Sequence, residues 1–194
     1  MRRTSEDIYD EWLVLRCQAG DGDALPILVH RWHGRLSAHA RRCTGDTDAA
    51  RDAVQDAWLA IVGGLPRLND PARFAPWAYR ILTNKCRDWA RRRTRDRDRG
   101  LIGAAGSGSA DAFPAPEPPA GPDADGAVTR LRRAMRRLSP DHRAVLDLHY
   151  LDGLGVAAIA DALGVPAGTV KSRLHHAREK LRAIIESSPE RIES

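Results

Sequence analysis

The sequence predicts an all-α protein: two small helical domains joined by a disordered linker, the C-terminal one a helix-turn-helix domain. Three observations predict it. Apolar residues recur at three- and four-residue spacing through both halves of the chain. Between Gly100 and Gly126 the composition shifts abruptly to Ala, Gly, Ser, Pro and Asp, which cannot bury a core. Near the C-terminus, Leu163-Gly164-Val165-Pro166 joins two helical patterns in the manner of a helix-turn-helix. The expected division is 1–99 for the N-terminal domain, 100–126 for the linker, 127–188 for the C-terminal domain and 189–194 for a tail.

The totals set limits. At 194 residues the chain holds one sizeable domain or two small ones. A net charge of +5 and a pI near 9.5 lean towards a polyanionic partner, though the excess is modest and its distribution matters more. No segment approaches 18 uninterrupted apolar residues, and no apolar signal core follows Met1-Arg2-Arg3, so a cytosolic protein is expected. Cys17, Cys43 and Cys86 are odd in number, widely separated and outside any zinc-ligand spacing, so three reduced thiols are expected. His30 and His33 sit three apart without a second ligand pair, and read as surface or half-buried histidines. No metal or cofactor is expected. Nor is enzymatic chemistry: there is no nucleophile–base pair, metal cluster or phosphate-binding glycine loop.

The elements follow in order. Ile8, Trp12, Leu13 and Leu15 suggest a first amphipathic helix from Glu6 to about Cys17, and Gly20-Asp21-Gly22-Asp23 is a turn. A second helix runs from about Ala24 to Arg42, with Leu25, Leu28, Val29, Trp32, Leu36 and His39 inward and Pro26 in its first turn. Gly45 breaks the pattern, and Asp46 or Thr47 can cap the next helix. That third helix, about Thr47 to Val62, buries Ala50, Ala53, Val54, Ala57, Trp58 and Ile61. Its other side carries Asp48, Asp52, Gln55, Asp56 and Leu59. This is either an ordinary solvated face or, with a leucine beside three carboxylates, a surface that docks on a basic protein.

After the turn-rich loop Gly63–Pro71, a long basic helix runs from Asp70 to Arg99, with Asp70 as N-cap and Pro71 at its first position. Phe74, Trp77, Ala78, Ile81 and Trp89 mark its buried face. About 100° per residue aligns Arg73, Arg80, Asn84, Arg87 and Arg91 on a neighbouring stripe, while Tyr79 projects away from the apolar one. An amide set among arginines, beside aromatics, suits a single-stranded nucleic acid. The linker has no Lys or Arg, and its acids Asp111, Glu117, Asp123 and Asp125 should avoid such a ligand.

Four helical segments follow. Val128 to Leu138 points Leu131, Met135 and Leu138 inward. The next starts at Ser139-Pro140, with Ser139 as cap and Val145, Leu146 and Leu148 apolar. Asp152-Gly153 is a turn. A short helix from Val156 to Leu163 stops at Gly164, and a final long helix runs to about Ile185. There Val170, Leu174, Ala177, Leu181 and Ile184 form the inner stripe. Thr169, Ser172, His175, His176 and Glu179 face outward, flanked by Lys171, Arg173 and Arg178. Hydroxyls and imidazoles with phosphate-reaching cations beside them fit a major groove; the plainer alternative is a helical hairpin in a bundle.

These residues resemble a family, the bacterial RNA polymerase sigma factors of the extracytoplasmic-function (ECF) group of the sigma-70 family. Asp52-Ala53-Val54-Gln55-Asp56-Ala57-Trp58 resembles the family's core-binding helix. Phe74-Ala75-Pro76-Trp77-Ala78-Tyr79-Arg80-Ile81-Leu82-Thr83-Asn84 resembles the segment that opens and reads the −10 element. Leu138-Ser139-Pro140, Asp152-Gly153-Leu154 and Gly168-Thr169-Val170-Lys171-Ser172-Arg173-Leu174 resemble the domain that reads the −35 element. The resemblance implies that Asp48, Asp52, Gln55, Asp56 and Leu59 meet core polymerase at the β′ clamp helices. It implies that Leu68, Asn69, Arg73, Tyr79, Arg80, Asn84, Arg87 and Arg91 meet −10 DNA, with Asn84 and the Leu68–Asn69 loop receiving a flipped base. It assigns −35 DNA to Thr169, Lys171, Ser172, Arg173, His175, His176 and Arg178, places the C-terminal domain on the β flap, and implies an anti-sigma partner.

A relaxed linker of about 27 residues spans roughly 30 Å, and promoter elements one and a half to two turns apart lie roughly 50–65 Å apart. The linker must therefore stretch, and the polymerase must hold both domains. Two positions depart from the family pattern. Ala158 stands where an acidic residue is usual, and His176 where arginine commonly reads bases; a neutral imidazole offers one donor rather than a bidentate fork. The competing reading is a stand-alone helix-turn-helix regulator, which would need an effector pocket or symmetric half-sites.

Overall fold

A computed structural model describes residues 4–99 and 126–187, and every described element is helical. The linker expected at 100–126 and the tail at 189–194 lie outside these residues, save Gly126, which opens a helix.

In the N-terminal half, α1 (Ser5–Gln18) begins with a reciprocal cap: the Asp7 amide donates to Thr4 Oγ1 at 3.2 Å, and the Thr4 amide to Asp7 Oδ2 at 2.8 Å. The second helix, α2 (Ala24–Thr44), stops at Gly45, whose φ of 67° is open to glycine at little cost. Asp46 then caps α3 (Thr47–Gly64) by accepting from the Asp48 and Ala49 amides at 3.0 Å. The long basic helix arrives in two pieces: a 3-10 turn (Pro71–Arg73), capped by Asp70, and then α4 (Phe74–Asp98). Leu28, Trp32 and Leu36 of α2 pack with Ala53, Ala57 and Ile61 of α3 and Phe74, Ala78 and Leu82 of α4. Trp32 meets Phe74 edge to face, centroids 5.2 Å apart.

The α1 expectation needs correction. Leu13 and Val14 are buried, whereas Ile8, Trp12 and Leu15 lie outside. The buried side of α1 packs on α2 and on the turns before α4, while Arg16 of α1 and Arg31 of α2 lie over the exposed Trp12 and Tyr9 rings.

In the C-terminal half, α5 (Gly126–Arg136) buries Ala134, but Leu131, expected inward, is exposed. The buried Arg143 guanidinium secures the end of α5 by donating to the carbonyls of Met135, Arg136 and Leu138 at 3.2–3.3 Å. It belongs to α6 (Pro140–Leu146), which continues as a π turn (Asp147–Leu151). Ser139 precedes α6 as expected but makes no side-chain capping bond. Then come α7 (Val156–Leu163), closed by left-handed Gly164, and α8 (Ala167–Glu186). The helix-turn-helix is α7–α8.

The two halves pack on each other. Helix α7 lies along α4, and the buried apolar residues of both halves form one continuous cluster.

Candidate protein and nucleic-acid interfaces

The first surface is the outer face of α3. Alanines at 50, 53 and 57 let the helix sit close to the core, which turns Asp48, Asp52, Gln55, Asp56 and Leu59 to solvent; all five are exposed, Leu59 at 69%. Asp56 lies 3.7 Å from Lys85 Nζ and Asp48 3.8 Å from Arg51 Nη1, loose contacts that leave the carboxylates solvated. Beside this face runs a groove between α2 and α3, lined by Val29, His33, Val54, Trp58, Leu59 and Val62. A half-sunk indole and an exposed leucine beside carboxylates make an apolar anchor with an acidic rim.

The second surface is α4 with the loop before it. Gln18 of α1 donates to the Leu65 and Leu68 carbonyls at 3.0 and 2.8 Å, fixing that loop with Leu68 half-buried and Asn69 exposed. Arg73, Arg80, Asn84 and Arg91 are exposed and Arg87 half-buried, so the predicted stripe exists. Two members are engaged: Arg91 with Asp88 at 2.8 Å, and Arg73 with Asp161 of α7 at 2.6 Å.

Tyr79 is a correction. It is 1% exposed, its ring edge-on to Trp32 and His39. Burial first, and then the charge of Asp152, hold its hydroxyl protonated, although it makes no well-formed hydrogen bond. The spacing sets Tyr79 apart from the apolar stripe as the freer aromatic, but it lies in the same buried cluster as Phe74, Ala78 and Leu82, packed on α2. Trp77 and Trp89, expected as core, are half-buried.

The third surface is α8. Val170, Leu174 and Ala177 are buried beneath it. Lys171, Ser172, His175, His176 and Arg178 are exposed, and Thr169 is half-buried. Arg173 is tied to Asp141 of α6 at 2.5 Å, so it braces the helix rather than standing free. Ser172 donates to the Thr169 carbonyl, and His175 lies 3.3 Å from Glu179.

Between the halves lies a charged cluster. His39 Nδ1 is 2.8 Å from Asp152 Oδ2, and Arg42 Nη2 is 2.5 Å from Asp152 Oδ1. Behind His39, its Nε2 meets Thr83 Oγ1 at 3.3 Å and Cys43 Sγ at 3.4 Å. Burial opposes charge on His39, but the Asp152 carboxylate bonded to it holds its pKa above the usual histidine range. Burial likewise works against Asp152, and His39 and Arg42 nonetheless hold it below the usual carboxylate range. Asp147, beside them, is pushed up to about 6 by burial, against the pull of Arg42, His39 and Arg143. In the sequence Asp152-Gly153 was a turn and His39 an apolar-face residue. A histidine inside an apolar stripe was the available signal, but its partner lay 113 positions away. Among the described residues no group of His, Cys, Asp and Glu could hold a metal ion, and no helix is long and apolar enough to cross a membrane.

Comparison with known proteins gives two family matches: Sigma-70 region 2 over residues 28–96, and Sigma-70, region 4 over residues 129–181. The chain is 34% identical to the RNA polymerase sigma factor NccH of Alcaligenes xylosoxydans xylosoxydans, covering 92% of this chain and 96% of that one. It is 35% identical to the ECF RNA polymerase sigma factor SigL of Mycobacterium tuberculosis over 78% and 82% of the two chains. Among solved structures, CnrH in complex with the cytosolic domain of CnrY matches with a TM-score of 0.65 at 26% identity, over 93% of this chain and 99% of that one. The sigma factor RpoE of Bartonella quintana, solved with the anti-sigma factor NepR, shares the fold: TM-score 0.67 and 22% identity, over 85% and 98%.

Proposed function

The chain belongs to the sigma-70 family of RNA polymerase sigma factors, in its ECF group, and from that premise we propose how its own surfaces divide the work. The exposed face of α3, with Asp48, Asp52, Gln55, Asp56 and Leu59, docks on the β′ clamp helices of core polymerase. Leu68, Asn69, Arg73, Arg80, Asn84, Arg87 and Arg91 meet the −10 element, where Asn84 takes one base flipped from the non-template strand. On α8, Thr169, Lys171, Ser172, His175, His176 and Arg178 read and grip the −35 duplex, with Arg173 bracing the helix. The domain 1–99 thus handles core and −10 contacts, and 127–188, seated on the β flap, handles −35 contacts. Segment 100–126 joins them as a linker.

The observation that carries this division is the placement of three outward surfaces in the family's order on one chain. An acidic, leucine-bearing face comes first, an arginine stripe with one amide second, and a helix-turn-helix third. No step of chemistry belongs to the chain itself; the polymerase makes the RNA. Its place is the cytosol, where polymerase and promoter are. The likeness to CnrH, which was solved in complex with the cytosolic domain of CnrY, supports a further protein partner, which we read as an anti-sigma protein.

Leu59→Asp tests the division at its first step. An exposed side chain can change without cost to the fold, while a lost apolar anchor costs about 2 kcal/mol, roughly 30-fold in affinity. Co-purification with core polymerase should fall accordingly while the thermal melt stays put. Unchanged core binding would remove α3 from the interface.

A further inference from the structure

We propose that His142 of α6 joins His176 and Lys180 of α8 in a site for one backbone phosphate of the −35 duplex, so that α6, besides the helix-turn-helix, meets DNA. That the phosphate belongs to promoter DNA rests on the sigma-factor reading; that these three side chains hold a phosphate does not.

Arg173, His176 and Lys180 follow one another at spacings of three and four along α8, which sets them in one row. Helix α6 packs against α8, and the bond from Arg173 to Asp141 at 2.5 Å pins the first turn of α6 beside that row. The next residue of α6 is His142. Its Nδ1 is shut off from water and has no hydrogen-bond partner, a costly state for a polar nitrogen. The charged groups that bear on this ring are Lys180, His176 and Arg173 of α8 and its neighbour Asp141, the one carboxylate among them. Asp141 is already taken by Arg173, and Glu179, also on α8, lies 3.3 Å from His175. The row thus carries more positive charge than the carboxylates beside it balance, around a nitrogen with nothing to bond. An anion supplies both needs. The terminal torsion of the ring is soft, so a turn about it brings that nitrogen to an anion seated on the row.

Position selects the anion. His176 and Lys180 are exposed and His142 is half-buried, so the site opens at the flank of α8. A helix about 10–12 Å across fills a major groove about 12 Å wide, and side chains on its flanks then meet the rows of phosphates. Seating the phosphate also moves a proton. Burial first, and then the charges of Lys180 and His176, hold the His142 pKa below the usual histidine range, so the free ring is neutral at neutral pH. A phosphate beside it favours the imidazolium, and one proton passes from solvent to the ring on binding. By linkage the affinity rises as pH falls; the gain is complete below the pKa of the free ring and lost above that of the bound ring. Glutamine at 142 keeps a polar side chain that does not titrate, and so isolates this share from whatever His175 and His176 add.

The test uses the full chain as wild type, His142→Gln and Lys180→Gln, each assembled with core polymerase and titrated with promoter DNA. Wild type and His142→Gln should bind nearly alike at about pH 8, and the variant should be several-fold weaker at about pH 6. Lys180→Gln, an exposed change, should be weaker at both, with the slope of log affinity against log salt reduced by about 0.9. In the free full chain, inorganic phosphate should make the His142 ring proton resonances, identified by their absence from His142→Gln, titrate at a higher pH. The Lys180→Gln variant of the free chain should weaken that response, and it supplies the reading if His142→Gln loses helicity. Ring resonances that ignore phosphate, or one pH dependence shared by wild type and His142→Gln, overturn the site. A ring that responds to phosphate, in a holoenzyme whose promoter affinity ignores both substitutions, overturns the assignment to DNA. A holoenzyme that selects no promoter while the ring still responds sinks the sigma-factor reading and leaves the phosphate site standing, so the failures are distinct.

Discussion

Asn84 carries both a donor and an acceptor on the outer stripe of α4, where its neighbours Arg80, Arg87 and Arg91 only donate. An arginine can hold phosphate anywhere along a strand, but an amide can pair with the edge of one base. Asn84→Ala should therefore lower promoter opening by about 1–3 kcal/mol, roughly 5- to 150-fold, in a permanganate or fluorescence melting assay, with core binding unchanged; equal losses in both would refute the assignment. A second residue speaks through pH. Burial raises the Asp147 pKa to about 6, above its unfolded range. The folded state thus binds its proton more tightly than the unfolded one, and the ionised form costs stability above pH 6 that is recovered as pH falls through 6 towards 4. Asp147→Asn should raise the melting temperature at pH 7.5, and the gain should shrink as pH falls from 6 and fade only towards pH 4; a pH-independent difference would contradict the buried charge. Residues of this kind are where sequence reading reaches its limit. Leu59 was legible because helical spacing alone puts it opposite the alanines. Tyr79 and Asp152 were not, because what surrounds them comes from elements distant in sequence, Trp32 and His39 for the one and His39 and Arg42 for the other.

At the scale of elements, most of the chain was legible. Caps at Asp46 and Asp70, stops at Gly45 and Gly164 and the inner stripe of α8 are local chemistry, and each lies where composition places it. Errors arose where an element has neighbours on one side only. Helix α1 has apolar residues around much of its circumference, and spacing could not say which side meets α2. In α5, the burial of Leu131 depended on what packs beside it. The junction of α3 with α4 shows packing that a sequence does not reveal: a Cβ on Gly64 would lie 2.8 Å from Trp77 Cζ2. Alanine there gains about 1 kcal/mol of helix propensity but must push an indole that packs against the Phe74 ring, at about 1–3 kcal/mol. The clash wins. Gly64→Ala should lower the melting temperature by about 2–4 °C, and a rise would mean that the ring yields freely.

At the scale of the whole molecule, the described residues form two helical halves that the seam at Asp152 holds together. The domain count was legible from composition, because the stretch between them cannot form a core. Their packing was not, since no periodicity records a contact between residues more than a hundred positions apart. Sigma-70 regions 2 and 4 match both halves, and in the proposed function they act together on one promoter under the control of core polymerase. Run-off transcription across genomic fragments, with core polymerase alone and with the full chain added, tests this most directly. Discrete transcripts are expected only when the chain is present, each start preceded by a shared −10 element and, one and a half to two turns upstream, a shared −35 element. Core polymerase that binds the chain yet initiates no differently, or tight sequence-specific duplex binding by the chain alone, would contradict it.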